Sequence, residues 1–231
     1  MKHFGLIGHP VGHSWSKEIH EEYYKAHGID ASYELIDLAD IKDFHKVMES
    51  MDGVNVTIPY KKAVMPYLDW IAGEAKEVGA VNTVVKRVGK LYGYNTDVAG
   101  FRKMAEGIER KNVLVLGDGG AAQAVKYVLK EMKCTYRSVS HREMDEGMIS
   151  TNGYDVIVNT TPLGMFPNVD SCPPVDIERA KKEMVILDLV YNPKETAFMR
   201  RACMNGASVK GGIEMLKEQA KEAISLFLID N

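Results

Sequence analysis

Short apolar runs bounded by polar turns alternate along this chain with longer stretches whose apolar residues recur every three or four positions. The runs read as strands over residues 3–7, 32–36, 53–57, 82–86, 112–116, 137–140, 156–159, 185–189 and 207–210. The longer periodicity predicts helices over 16–26, 41–49, 72–78, 98–107, 121–133, 196–205 and 212–228. Strand followed by helix followed by strand is the pattern of an α/β fold with mostly parallel sheets. A second such series begins at the apolar strand Val113-Leu114-Val115-Leu116, with a hinge expected in the helix over 98–107. The helix over 212–228 follows the last strand, and its pattern alone fits packing on either half.

Gly117-Asp118-Gly119-Gly120-Ala121-Ala122 follows that strand and opens the next helix. Gly117 and Gly119 permit backbone conformations and close approaches that a Cβ would block, and free N–H groups at the helix start can hold a diphosphate. The turn is Gly-x-Gly-Gly-Ala, with Ala122 at the third position of the fingerprint. Strand and helix flank it as a dinucleotide site requires, whereas a bare turn would not need them. A carboxylate at Asp118 would repel a phosphate unless it points away. At the end of the next strand an acid selects NAD and a base suits the 2′-phosphate of NADP. Ser140, His141 and Arg142 stand there and the first acid is Glu143, which favours NADP(H). The plain alternative is that Arg142 is a solvated turn residue.

Composition narrows the partners. The 29 basic and 32 acidic side chains leave a net charge of -3 with no long run of one sign, so nucleic acid and anionic membranes have no electrostatic attraction to offer. No apolar run is long enough to span a bilayer, and the run before Pro10 is too short for a signal peptide. The three cysteines, Cys134, Cys172 and Cys203, show neither disulfide nor metal-ligand spacing, which suits a reducing cytoplasm.

Polar residues crowd three expected loops of the first half. They are Gly8-His9-Pro10-Val11-Gly12-His13-Ser14-Trp15-Ser16, then Asn55-Val56-Thr57-Ile58-Pro59-Tyr60-Lys61, then Gly79-Ala80-Val81-Asn82-Thr83 with Gly93-Tyr94-Asn95-Thr96-Asp97. Loops at strand ends of α/β sheets bind ligands. These hydroxyls and amides, with one Lys and one Asp, suit a small polyhydroxylated acid. His9, His13 and His20 are a poor metal set, because Pro10 and Gly12 break any helix that would align them, and no metal is expected. The 13 methionines read as core filler and Lys62 as solvent-facing.

These motifs, in this order, resemble the shikimate dehydrogenase family. His13-Ser14-Trp15-Ser16 with His20, Asn55 through Lys61, Asn95-Thr96-Asp97 and the Gly117 turn carry the likeness in the first part. Asn159-Thr160-Thr161-Pro162-Leu163-Gly164-Met165, Asp188-Leu189-Val190-Tyr191-Asn192-Pro193 and Gly212-Ile213-Glu214-Met215-Leu216 with Gln219-Ala220 extend it over nearly the whole chain. The sequence departs from the pattern at Lys17 and Glu21, usually Pro and Asn, and at Ser140-His141-Arg142, usually Asn-Arg-Thr.

The resemblance implies two α/β domains: a substrate domain of residues 1–102 with 213–231, and a Rossmann-type NADP-binding domain of residues 103–212. It implies reversible NADPH-dependent reduction of 3-dehydroshikimate to shikimate, in the chorismate route to aromatic amino acids, by a monomer or homodimer. Lys61 and Asp97 would be the catalytic pair. Ser14, Ser16, Asn55, Thr57, Asn82, Tyr191 and Gln219 would bind substrate, with Tyr191 near the nicotinamide. Gly117, Gly119, Gly120, Ala121, Ser140, His141, Arg142, Asn159, Thr160 and Gly212 would lie at the cofactor. Chemically, hydride reduction of a ketone creates an alkoxide that needs stabilisation and a proton. Lys61 can hydrogen-bond that oxygen while Asp97 orients it, and the residues alone do not say which of the two carries the proton. Ser14 and Ser16 suit a carboxylate beside a helix N-terminus, although Ser16 also reads as a cap. Oxidation of quinate or an amino analogue is the alternative within the class. A non-catalytic nucleotide-binding regulator is the alternative outside it, and retention of Lys61 and Asp97 speaks against that.

Overall fold

The strand expected at residues 3–7 forms as β1 (Lys2–Gly8), and its alternation shows why it sits centrally. Phe4 and Leu6 face one side and Ile7 the other, and all three are buried. The computed structural model describes residues 1–12, 14–179 and 182–229, so His13 of the first polar cluster lies outside the described residues. The chain divides into two compact units, residues 1–97 with 217–231, and residues 98–216.

The first unit holds a six-stranded sheet in the order β2-β1-β3-β5-β6-β4. Its strands are β1, β2 (Ala31–Asp37), β3 (Gly53–Val56), β4 (Trp70–Ile71), β5 (Thr83–Arg87) and β6 (Lys90–Tyr94). β1 pairs in parallel with β2 and β3, whereas β3–β5 and β5–β6 are antiparallel. The helices are α1 (Ser16–Ala26), α2 (Phe44–Ser50) and α3 (Gly73–Val78). One sheet face buries Ile7, Val54, Val56 and Val84 against Phe44 and Met48 of α2. The other buries Phe4, Leu6 and Tyr33 with Tyr24 of α1 and with Ala223, Ile224 and Phe227 of the last helix. That helix is α8 (Ile213–Leu228), and its C-terminal part therefore packs on the first sheet. Gly53 permits this, because a Cβ there would stand 2.8 Å from the Phe227 ring.

The second unit has a five-stranded, wholly parallel sheet in the order β11-β10-β9-β7-β8. It comprises β7 (Asn112–Leu116), β8 (Thr135–Val139), β9 (Val156–Asn159), β10 (Val185–Asp188) and β11 (Ser208–Gly211), with α5 (Gly120–Glu131), α6 (His141–Glu146) and α7 (Ala197–Met204). α4 (Asp97–Met104) joins the units. β8 lies on one side of β7 and β9 on the other, so the strand order reverses at the C-terminal end of β7, where α/β sheets bind ligands.

Several elements differ from the sequence expectation, among them α6 and the 3-10 turn Ile41–Asp43 that precedes α2. Lys90–Tyr94 is a strand, joined to β5 by a two-residue turn at Val88 and Gly89 with φ of +48° and +74°. Such hairpins usually carry Asn-Gly, and the β-branched Val88 hides the signal. Trp70–Ile71 adds a two-residue edge strand beside β6. The strand expected over 137–140 stops at Val139, because Ser140 caps α6.

Candidate active site

Lys61 lies in the turn after β3, and its carbonyl accepts a 2.8 Å hydrogen bond from Val81 N. Asp97 opens α4, a position where the helix dipole favours a carboxylate. Lys61 Nζ lies 2.6 Å from Asp97 Oδ2, and the two side chains are 14% and 7% exposed. The second carboxylate oxygen, Oδ1, accepts from Asn82 Nδ2 at 3.0 Å. Asn82 is itself held: its Oδ1 accepts from Thr96 N at 2.7 Å and from Thr83 Oγ1 at 3.1 Å. Gln219 of α8 joins through Oε1, 3.3 Å from both Asn82 Nδ2 and Thr96 Oγ1. Four expected site residues, Lys61, Asn82, Asp97 and Gln219, thus form one connected cluster.

Asn55 sits in β3 between two valines and is buried. Its Nδ2 donates to Thr83 Oγ1 at 3.0 Å and Asn82 O at 3.3 Å, and its Oδ1 accepts from Tyr33 OH at 2.7 Å. Thr57 follows β3 half-buried, with its methyl against Gly8, where a Cβ would stand 2.4 Å away. Ser14 and Ser16 are paired, Oγ to Oγ at 3.0 Å. Ser16 is the first residue of α1 rather than its cap, and the Ser14 hydroxyl accepts from Ser16 N at 3.2 Å.

His20, one helical turn on from Ser16, is fully buried and stacks on Tyr33 at 4.0 Å. Its Nδ1 lies 2.7 Å from Ser16 O, and because a carbonyl only accepts, Nδ1 carries the proton. Burial pushes the imidazole down from 6.5 to about 4 against that hydrogen bond, so His20 is neutral. His9 instead pairs with Asp37. Among the described residues no group of three or more His, Cys, Asp or Glu is placed to hold a metal.

In the second unit, Gly117 has φ of +109°, and a Cβ there would come 2.4 Å from Thr160 Oγ1. Thr160 is fixed at β7 by donating to Leu116 O at 2.6 Å. Gly119 caps α5 with ordinary φ of -71°, and a Cβ on it would meet nothing within 4 Å. The backbone at Gly119, where α5 starts, is therefore open to the approach of an anion such as a diphosphate. Asp118 is exposed at that turn.

Asn159 is fully buried. Its Nδ2 donates to Asp188 Oδ1 at 2.9 Å, and its Oδ1 accepts from Thr161 N and Oγ1. It ties β9 to β10, and any influence on a cofactor passes through the shape of that turn. Asp188 also accepts from Thr196 Oγ1 at 2.6 Å and Val190 N at 3.1 Å, while burial raises its carboxyl to about 6. Gly212 passes so close to Leu189 that a Cβ would stand 2.2 Å from its carbonyl oxygen. Tyr191 is half-buried just after β10, in the second unit rather than with the other expected substrate residues.

Ser140, His141 and Arg142 form the start of α6. Ser140 and Glu143 make a reciprocal capping box, which the Ser-x-x-Glu spacing encodes. Arg142 pairs with Glu146 at 3.2 Å and His141 with Asp145 at 3.8 Å, all well exposed. Sequence reasoning left Tyr33, Thr83 and Thr96 without roles. Tyr33 and Thr83 are polar groups in strands of the first sheet, visible only once the register is known, and Thr96 lies in the turn between β6 and α4.

Known proteins resemble this chain over nearly its whole length. The profile for the shikimate dehydrogenase substrate binding domain matches residues 6–84. The NADP(+) shikimate dehydrogenase of Clostridium beijerinckii is 41% identical, over 96% of this chain and 90% of that one. The crystal structure of shikimate dehydrogenase from Aquifex aeolicus superposes with a TM-score of 0.87 at 31% identity, covering 99% of this chain and 92% of that one. The Thermus thermophilus shikimate 5-dehydrogenase in complex with NADP(H) and shikimate gives 0.84 at 34%, covering 99% and 94%. With such identity over nearly its full length, this chain belongs to the shikimate dehydrogenase family.

Proposed function

We propose that this protein is an NADP-dependent oxidoreductase that interconverts 3-dehydroshikimate and shikimate on the chorismate route to aromatic amino acids. The observation that carries the reading is the buried Lys61–Asp97 pair, tied at 2.6 Å and held from behind by Asn82. Substrate belongs to the first unit, with the helix-start pair Ser14 and Ser16 as donors to its carboxylate. Cofactor belongs to the second, where the positive φ of Gly117 and the open space beside Gly119 form a cradle that fits a dinucleotide diphosphate. His141 and Arg142 stand where a 2′-phosphate would be read. When bound, NADPH supplies the hydride.

The chain's own residues handle the proton and the charge. In reduction, the Lys61 ammonium donates a hydrogen bond to the ketone oxygen, stabilises the developing alkoxide and passes it a proton. Asp97 keeps the amine aimed at that oxygen and balances its charge. In oxidation the same pair accepts the hydroxyl proton. Asn82 fixes Asp97, so the pair is oriented before substrate arrives. Among the described residues no helix is long and apolar enough to cross a membrane, and the free cysteines suit a reducing cytoplasm.

The test is absorbance at the nicotinamide band with shikimate or quinate, each with NADP+ or NAD+. Shikimate with NADP+ is expected to be fastest by at least roughly tenfold, the discrimination that one or two specific hydrogen bonds provide. Equal rates with NAD+ would overturn the cofactor assignment, and quinate as the better substrate would overturn the substrate.

A further inference from the structure

We propose that Tyr33 and Asn55 are positioning residues for the Lys61–Asp97 pair, acting through a directed chain of hydrogen bonds that runs through Thr83 and Asn82. The inference rests on the catalytic reading of that pair given above. Tyr33 and Asn55 lie on strands flanking β1. The register sets Phe4 beside Tyr33 and Leu6 beside Asn55, which puts both side chains on the face covered by α1 and α8. That face is lined by Phe4, Leu6, Tyr24, Ile224 and Phe227. A tyrosine hydroxyl and a primary amide are costly there unless paired, and an apolar pair of similar shape would be nearly neutral for folding. Their presence calls for a role other than filling the core.

The proton assignments supply that role. Tyr33 OH donates to Asn55 Oδ1 at 2.7 Å, which turns the amide nitrogen toward Thr83 Oγ1 at 3.0 Å and Asn82 O at 3.3 Å. Having accepted from Asn55, the Thr83 hydroxyl donates onward to Asn82 Oδ1 at 3.1 Å. With Oδ1 committed to Thr83 and to Thr96 N, Asn82 presents its donor Nδ2 to Asp97 Oδ1 at 3.0 Å, with Thr96 Oγ1 at 3.0 Å and Gln219 Oε1 at 3.3 Å as its other acceptors. The free Asp97 oxygen then receives Lys61 Nζ at 2.6 Å. Every member before Lys61 is buried, so water does not compete for these bonds. Both N–H groups of Asn55 are used within the protein, so it acts on the substrate through Asp97 and Lys61 rather than by touching it.

The test uses Tyr33→Phe, Asn55→Leu and the double variant in the full-length protein. Each single change is expected to lower kcat for shikimate oxidation roughly tenfold, the size of one misplaced hydrogen bond, with KM for shikimate within about twofold. The double variant should be no slower than Asn55→Leu, because a chain broken at one link is not broken again at the next. Losses that multiply, or Tyr33→Phe at the wild-type kcat, would overturn the proposal. A second readout needs no turnover. The Asn82 side-chain amide protons, followed by NMR, should exchange roughly tenfold faster in Tyr33→Phe while the backbone amides of β1 and β3 keep their protection. Unchanged Asn82 exchange overturns the chain even if wild-type protein turns over no shikimate, an outcome that would defeat the functional reading alone. Should Asn55→Leu fail to fold, Tyr33→Phe decides by both readouts.

Discussion

Acidification should push the two units in opposite directions. In the first, burial against Tyr33, Tyr24 and Phe227 lowers the His20 imidazole from 6.5 to about 4. Between those values the unfolded chain takes up a proton that the folded one refuses. The contribution of neutral His20 is therefore intact above pH 6.5 and is lost as pH falls. In the second, burial raises Asp188 from 3.8 to about 6, with its hydrogen bonds from Thr196, Val190 and Asn159 opposing. There the folded state holds a proton that the unfolded one releases, so stability is gained as pH falls through 6. From pH 7 to pH 5 these linkages amount to a loss of about 2 kcal/mol at His20 and a gain of about 1 kcal/mol at Asp188. Native-state hydrogen exchange, corrected for intrinsic rates, reads the sub-global opening energies of each sheet separately. The expected result is that protection of β1, β2 and β3 falls at pH 5 while that of β9 and β10 holds or rises. His20→Leu, which has no proton to gain, should flatten the slope of the first unit and leave the second unaltered. Parallel losses in both units, or an unchanged slope in His20→Leu, would refute the reasoning.

The two turn glycines should respond differently to the same methyl group. Gly117→Ala must place a Cβ 2.4 Å from Thr160 Oγ1 at a φ of +109°, and thermal unfolding should show a loss of about 2 kcal/mol or more. Gly119→Ala meets nothing within 4 Å at an ordinary φ, so its melting temperature should match the wild type while NADP+ affinity, read by calorimetry, falls severalfold. Glu143→Ala removes the capping box of α6 and should cost about 1 kcal/mol in denaturant unfolding.

The order of strands and helices was legible because periodicity survives burial: the expected bounds of α1, β7 and β9 match the structure residue for residue. What failed was local. Val88 occupies a left-handed position that usually advertises itself with Asn or Gly, so the β5–β6 hairpin went unseen. Ser140 was read as the tip of a strand although Ser140 and Glu143 carry the spacing of a capping box. In the site, Lys61 and Asp97 were visible as motif residues, but their contact spans 36 positions and no periodicity reports it. The roles of Tyr33, Thr83 and Asn55 depend on the register of β2, β1, β3 and β5, which sequence spacing does not contain. The expected placement of Asn159 at the cofactor illustrates the converse. In the structure its amide serves the β9–β10 junction and the turn that follows β9.

The central claim is that Lys61, held by Asp97, performs the proton chemistry and does not hold the cofactor. Lys61→Ala, measured for shikimate turnover and for NADP+ binding by calorimetry, tests it directly. The account predicts a kcat lower by roughly a thousandfold, in the range for loss of a general acid–base group, with NADP+ affinity unchanged. A collapse of NADP+ binding, or a kcat within about threefold of the wild type, would contradict it.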